Sequence, residues 1–243
     1  MHFTSEKHLD DTVIEREFLL LDIPGILWTP GSIGSPVPLV LLGHPGGLHS
    51  MYPRLAARAT ALAAQGFAAA TIELPGAGDR PPSASAGQAR AALQSAVASG
   101  ERPSEEVIDQ LVLPLVEQAV PEWQTALDAL LGLPDVGGPV GFTGGVIAIG
   151  VRLAIVEPRI TAAGLFAGSF IPLSIIEEAR QARIPLQVLL QWDDEWNDRQ
   201  RALDLFDAFG SREKALNVNM GGHTGVPSHA GDSMNEFLAR HLR

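Results

Sequence analysis

The stretch that decides the fold reads PVGFTGGVIAIGVRLAIV and covers residues 139–156. Its first five residues form a short apolar run, which is typical of a strand that is buried on both faces. Two glycines, Gly144 and Gly145, follow this run, and the apolar residues then continue to Val156, which favours a buried helix. A buried strand, a glycine turn and a buried helix form the repeating unit of a parallel sheet covered by helices.

The same alternation of strand and helix extends in both directions from this stretch. Pro114 and Pro121 should bend or divide the longest predicted helix. An antiparallel hairpin is expected at the sheet edge, over residues 14–21 and 26–28. The pattern therefore predicts an α/β fold, with a mostly parallel sheet and helices on both faces. The further strands are predicted at 36–42, 67–72, 161–166, 185–191 and 214–218, and the further helices at 52–65, 86–98, 105–131, 173–182, 199–209 and 233–242.

The composition limits the classes of function. The 243 residues fit a single domain, and no internal repeat divides them. The chain carries 17 Lys and Arg against 28 Asp and Glu, which gives a net charge of −11. Because no segment is rich in Lys and Arg, we expect neither nucleic acid nor an anionic membrane as partner. The absence of cysteine excludes disulfides, thiolate metal sites and a Cys nucleophile.

The polar start of the chain indicates no secretion signal, and its apolar runs are too short or too polar to span a membrane. We therefore expect a cytoplasmic protein of one domain over residues 1–243, and the composition leaves a homodimer open. Within that domain, residues 80–120 form an insertion-like helical segment. Long connections in compact domains are often functional, so this segment could be a lid over a site, but it could also be a plain surface helix.

Glycine-rich and polar segments follow the predicted strands, at the carboxyl ends where sites in such sheets lie. An acidic turn follows a late strand, and a histidine follows the last one. This chain order, acid and then histidine, is the second half of a nucleophile–acid–histidine triad. The segments concerned are His44-Pro45-Gly46-Gly47, Pro75-Gly76-Ala77-Gly78-Asp79-Arg80, Asp193-Asp194-Glu195 and Gly221-Gly222-His223.

In their order and spacing these segments resemble the α/β-hydrolase family, especially its small esterases and its dienelactone-hydrolase-like members. The resemblance covers nearly the whole chain. It implies an eight-stranded, mostly parallel sheet and a small-molecule substrate. Neither a metal nor an organic cofactor is expected. The resemblance also implies that Asp194 orients His223, which acts as general base and then as general acid. The residues expected to bind the oxyanion or substrate are His44, Gly46, Gly47 and Gly144, although His44 could simply hold its own loop.

The resemblance fails at the position of the nucleophile. The family has Gly-x-Ser-x-Gly between a central strand and the following helix, and this chain has no serine there. Three registers remain open, which place Thr143, Gly144 or Val146 at the nucleophile position. Thr143 carries the only hydroxyl of the turn, but its β-methyl group crowds a backbone that is already strained.

Three functions follow from this pattern. The first is an ester or lactone hydrolase, with Thr143 as nucleophile and Asp194 and His223 as its partners. The second is an enzyme without a nucleophilic side chain, such as a lyase or a cyclase, or a hydrolase in which His223 activates water directly. The third is an inactive relative that binds a small ligand. The sequence favours a hydrolase-like enzyme and does not decide between the first two mechanisms.

Overall fold

The computed structural model describes residues 1–10, 12–31, 34, 36–81, 84–195 and 197–243. Two residues of the insertion-like segment, 82 and 83, therefore lie outside the described part. No helix in the described ranges is both long enough and apolar enough to cross a membrane.

A nine-stranded mixed sheet organises the described chain, in the order β1-β2-β3-β5-β4-β6-β7-β8-β9. The first three strands are antiparallel, and β3 also runs antiparallel to β5. The other six strands are parallel to one another, as the alternating pattern predicts. The strands are β1 (His2–Asp10), β2 (Val13–Leu20), β3 (Ile23–Pro30), β4 (Val37–Gly43), β5 (Ala68–Ile72), β6 (Val136–Gly144), β7 (Ile160–Phe166), β8 (Leu186–Gln191) and β9 (Lys214–Asn219).

Seven helices within the described ranges cover the two faces of the sheet. On one face, α3 to α6 pack against residues such as Phe142, whose ring meets that of Trp123 edge-on at a centroid distance of 5.9 Å. On the other face, α1 and α7 pack through Leu55, Leu62 and Leu238. The helices are α1 (Leu48–Ala63), α2 (Ala84–Ala98), α3 (Glu105–Leu131), α4 (Ile147–Val156), α5 (Leu173–Ala179), α6 (Arg199–Ala208) and α7 (Ser228–Leu242).

Strand β1 corrects the expected number of strands from eight to nine. It pairs antiparallel with β2 and forms one edge of the sheet. Its residues 2–8 are all exposed, so their sequence lacks the alternation of apolar and polar residues that identifies a half-buried strand. The polar start of the chain therefore gave no signal of this strand.

The two prolines of α3 do not divide it. Pro114 and Pro121 both lie inside one continuous helix that runs from Glu105 to Leu131. Proline inside a helix costs about 3 kcal/mol. Of the two expected effects, a bend or a division, the division does not occur, because α3 buries a long apolar face, which includes Val116 and Trp123, and this burial offsets the local cost.

The first turn of α6 depends on Asp198, which is its N-cap. The Asp198 carboxylate accepts hydrogen bonds from the Gln200 and Arg201 N–H groups at 3.0 and 3.4 Å. Because a lost N-cap costs about 1 kcal/mol, we expect Asp198→Ala to lower the free energy of unfolding by about that amount in urea denaturation. Asp79→Ala, at an exposed position, is the control and should change it by less than about 0.5 kcal/mol. Equal effects of the two variants would contradict the assignment of the cap.

Candidate active site

His223 and Asp194 meet at the carboxyl edge of the parallel strands. Asp194 follows β8 and His223 follows the neighbouring β9, so both loops leave the sheet at the same edge. Their side chains are joined by a hydrogen bond of 2.9 Å between His223 Nδ1 and Asp194 Oδ2. The Asp194 side chain is 2% exposed, whereas that of His223 is 31% exposed. Since a carboxylate only accepts, Nδ1 donates this bond, and in the neutral ring Nε2 is then the nitrogen that accepts a proton.

Backbone hydrogen bonds hold the two loops together. The Trp192 N–H donates to Asn219 O at 2.8 Å, and the Asp193 N–H donates to Gly221 O at 3.1 Å. The His223 N–H in turn donates to Glu195 Oε2 at 3.1 Å. The acid and the histidine are thereby placed by a rigid connection between their loops, which favours a preorganised pair.

The loop of residues 44–47, between β4 and α1, lies at the same edge. The buried Glu73 carboxylate accepts the Leu48 N–H with both oxygens, each at 3.1 Å, and so fixes the start of α1. Within the described residues, the N–H groups of Gly46 and Gly47 donate no hydrogen bond. The buried ring of His44 contacts the Ile72 carbonyl through Nε2 at 2.9 Å, and this contact anchors the loop to β5.

The turn between β6 and α4 contains two consecutive glycines with positive φ, Gly144 at 85° and Gly145 at 75°. A Cβ on Gly145 would lie 2.9 Å from Gly43 Cα and 3.0 Å from the His44 nitrogen. The turn therefore packs directly on the start of the 44–47 loop, and both its conformation and this close approach require glycine. Val146 comes next as the N-cap of α4, and its side chain, which is 9% exposed, lies at the margin of the hydrophobic core.

Thr143 lies below this turn, on the face of the sheet covered by α1 and α7. Its Oγ1 accepts a hydrogen bond from Arg58 Nη2 at 3.3 Å, and the residue is 4% exposed. Thr143 pairs with Gly164 of β7, two residues before Phe166, whose ring packs on that of His223 at a centroid distance of 5.7 Å. Two residues along a strand correspond to about 6.6 Å. The Thr143 hydroxyl therefore lies deeper in the sheet than the rim at which His223 sits.

Sequence reasoning missed Arg58 and Glu73. Arg58 is half-buried on α1, makes no ion pair with a described residue, and also donates to the Thr143 carbonyl at 3.3 Å. Desolvation, together with the nearby Arg54, lowers the pKa of Arg58 to about 10. The sequence does place this charged residue beside Leu55 and Ala59 on the apolar face of a predicted helix, which indicates a buried arginine. For Glu73 the signal was an acidic residue directly after a buried strand.

The fold of this chain is close to that of solved esterases. No protein-family model matches the sequence, and no curated protein matches it. A cold-adapted esterase from an Arctic intertidal metagenomic library is 25% identical, with both chains covered completely and a TM-score of 0.77. The chain has an α/β-hydrolase fold.

Two more distant structures share this α/β-hydrolase fold. TT1662 from Thermus thermophilus is 19% identical, with 94% of this chain and 97% of that chain covered and a TM-score of 0.64. A protein from Klebsiella pneumoniae, provisionally designated a dienelactone hydrolase, is 15% identical, with coverage of 93% and 97% and a TM-score of 0.67. The resemblance inferred from the four segments after the strands is thus confirmed at the level of the fold.

Proposed function

We propose that the protein hydrolyses small carboxylic esters or lactones, with His223 as general base and Asp194 as the residue that orients it. The hydrogen bond of 2.9 Å between their side chains, at the carboxyl edge of the sheet, is the observation that carries the proposal. The likeness to the Arctic esterase, over the full length of both chains, supports ester chemistry. The net charge of −11 favours neutral over strongly anionic substrates.

A water molecule is the attacking group in this proposal. Within residues 143–146 only Thr143 has a hydroxyl, and that hydroxyl is buried beside Arg58. His223 Nε2 takes a proton from the water as its oxygen bonds to the carbonyl carbon. The imidazolium, stabilised by Asp194, then gives this proton to the alkoxy oxygen as its bond to the carbonyl carbon breaks. Ester and water thus yield a carboxylic acid and an alcohol.

The negative charge on the carbonyl oxygen needs N–H donors that are already in place. The Gly46 and Gly47 N–H groups meet this need, because they donate to no described residue and their loop packs on the glycine turn. Gly144 is the candidate donor from the turn itself. Glu73 contributes by holding the end of the 44–47 loop at the first residue of α1.

Covalent catalysis by Thr143 is the second candidate, and the Arg58 contact favours it. A guanidinium without a carboxylate partner, 3.3 Å from Oγ1, would stabilise the alkoxide form of the threonine. This route requires the Thr143 side chain to become accessible to the ester and to His223.

Substitutions at Thr143 distinguish the two mechanisms. We expect Thr143→Val to keep kcat/KM for p-nitrophenyl acetate within about threefold, a change below 1 kcal/mol in barrier, because water remains the nucleophile. Thr143→Ser is the matched control that keeps the hydroxyl. Activity lost in the valine variant and kept in the serine variant would establish the covalent route. A wild-type protein with no turnover on simple esters and lactones would overturn the proposed function.

A further inference from the structure

At the opposite edge of the sheet, three exposed arginines border an open cationic cavity, formed where α5 ends and where α6 leads into β9. Its volume is about 650 Å³, and it is lined by Arg180, Arg183, Ala208, Gly210 and Arg212. These residues precede β8 and β9 in the chain, so the cavity lies at the amino ends of the two strands whose carboxyl ends carry Asp194 and His223.

None of the three arginines forms an ion pair with a described residue. The carboxylates closest to them in sequence are engaged elsewhere, since Glu178 binds Arg152 and Glu213 contacts His241. Six of the other twelve arginines do lie within ion-pair distance of a carboxylate: Arg16, Arg80, Arg102, Arg152, Arg159 and Arg201.

The walls of the cavity are held by backbone contacts. The Gly210 N–H donates to the Ala179 carbonyl at 3.2 Å, which ties the end of α6 to the end of α5. Arg183 Nη1 donates to the carbonyls of Arg180 and Ala182, the latter at 3.1 Å. Arg183 is therefore partly occupied by the end of α5. No side-chain hydrogen bond of Arg180 or Arg212 to another described residue is present.

The charge balance at the cavity is positive. Three guanidinium groups and no carboxylate line it, and the carbonyl ends of α5 and α6 offset part of this positive charge. At physiological ionic strength charges beyond about 8 Å are largely screened, so acidic groups on distant parts of the surface have little effect on the cavity. The lining of the cavity thus favours an anionic ligand.

We propose that this cavity binds a diphosphate group, either as inorganic pyrophosphate or as part of a phosphorylated small molecule. Planar guanidinium groups bind phosphate oxygens with two parallel N–H bonds, and three of them around one cavity suit two linked phosphates. The site is separate from the proposed ester-hydrolysing centre and does not depend on that function.

The proposal is tested by isothermal titration calorimetry, in which sodium pyrophosphate is added to the full chain in 50 mM salt. We expect one saturable site, weakened at least about fivefold by Arg180→Gln and by Arg212→Gln, because each removes a charge-assisted contact. Thermal unfolding checks that both variants fold. Arg240→Gln replaces an exposed arginine outside the cavity and should leave the affinity within about twofold.

The same measurement with citrate tests whether the cavity is specific for linked phosphates. Citrate carries a similar charge without linked phosphates, so tighter binding of pyrophosphate supports the proposal. Two results would overturn it: no saturable binding by the wild-type protein, or equal weakening by Arg240→Gln and the cavity variants, which would show that only general surface charge acts.

Discussion

Replacing His223 by alanine is expected to lower kcat/KM for p-nitrophenyl acetate by about 10²–10⁴-fold, the usual contribution of a general acid–base group. The variant loses the group that removes the proton from water and returns it to the leaving alcohol. The side chain is partly exposed and contacts Asp194 and Phe166, so its removal should change the fold little. Initial rates under first-order conditions measure the effect.

His229→Ala is the matched control, because His229 is exposed on α7, a few residues further along the chain. It should retain wild-type activity. Asp194→Asn should act in the same direction as His223→Ala, since an amide at this position no longer selects the tautomer with a proton on Nδ1. Unchanged turnover in His223→Ala would remove the proposed general base and, with it, the mechanism.

Replacing Val146 by serine is expected to create a covalent route that the natural chain lacks. Val146 follows Gly144 and Gly145 and immediately precedes the first residue of α4. A hydroxyl there would lie at the start of a helix, where the helix dipole favours a developing negative charge. We expect Val146→Ser to form a phosphonate adduct at residue 146, detected by mass spectrometry, whereas the wild-type protein forms none at this position.

Val146→Ala controls for the loss of the side chain, because it shortens residue 146 without adding a hydroxyl. It should remain unlabelled. A folded Val146→Ser variant that also stays unlabelled would show that position 146 does not face the reactive centre, and the register that places it at the nucleophile position would be wrong.

The sequence predicted the parallel part of the sheet well because buried strands leave a local signal. The run at residues 139–143 is apolar on both faces, and the matching strand extends over Val136–Gly144. The order of acid and histidine in the chain likewise indicated Asp194 and His223, whose Oδ2 and Nδ1 atoms lie 2.9 Å apart in the structure. Chain order was sufficient there because neighbouring parallel strands end at the same edge of the sheet.

Other features depend on contacts between distant segments and leave no local pattern. The direction of the Thr143 side chain follows from its register in β6 and from Arg58, which lies 85 residues earlier in the chain. Similarly, Glu73 acts on the 44–47 loop through α1, and its place after a buried strand does not reveal this partner. The helix Glu105–Leu131 continues through its two prolines because tertiary packing outweighs the low helix propensity of proline.

The outermost position of β1 has a consequence for how molecules of this protein meet one another. An edge strand offers unpaired N–H and C=O groups to any strand that approaches it. In β1 these groups stand among charged and polar side chains such as Glu6 and Lys7, whereas β2 behind it carries the buried Phe18 and Leu20. Charged side chains beside an exposed sheet edge are a common means by which proteins disfavour pairing with a strand of a neighbouring molecule.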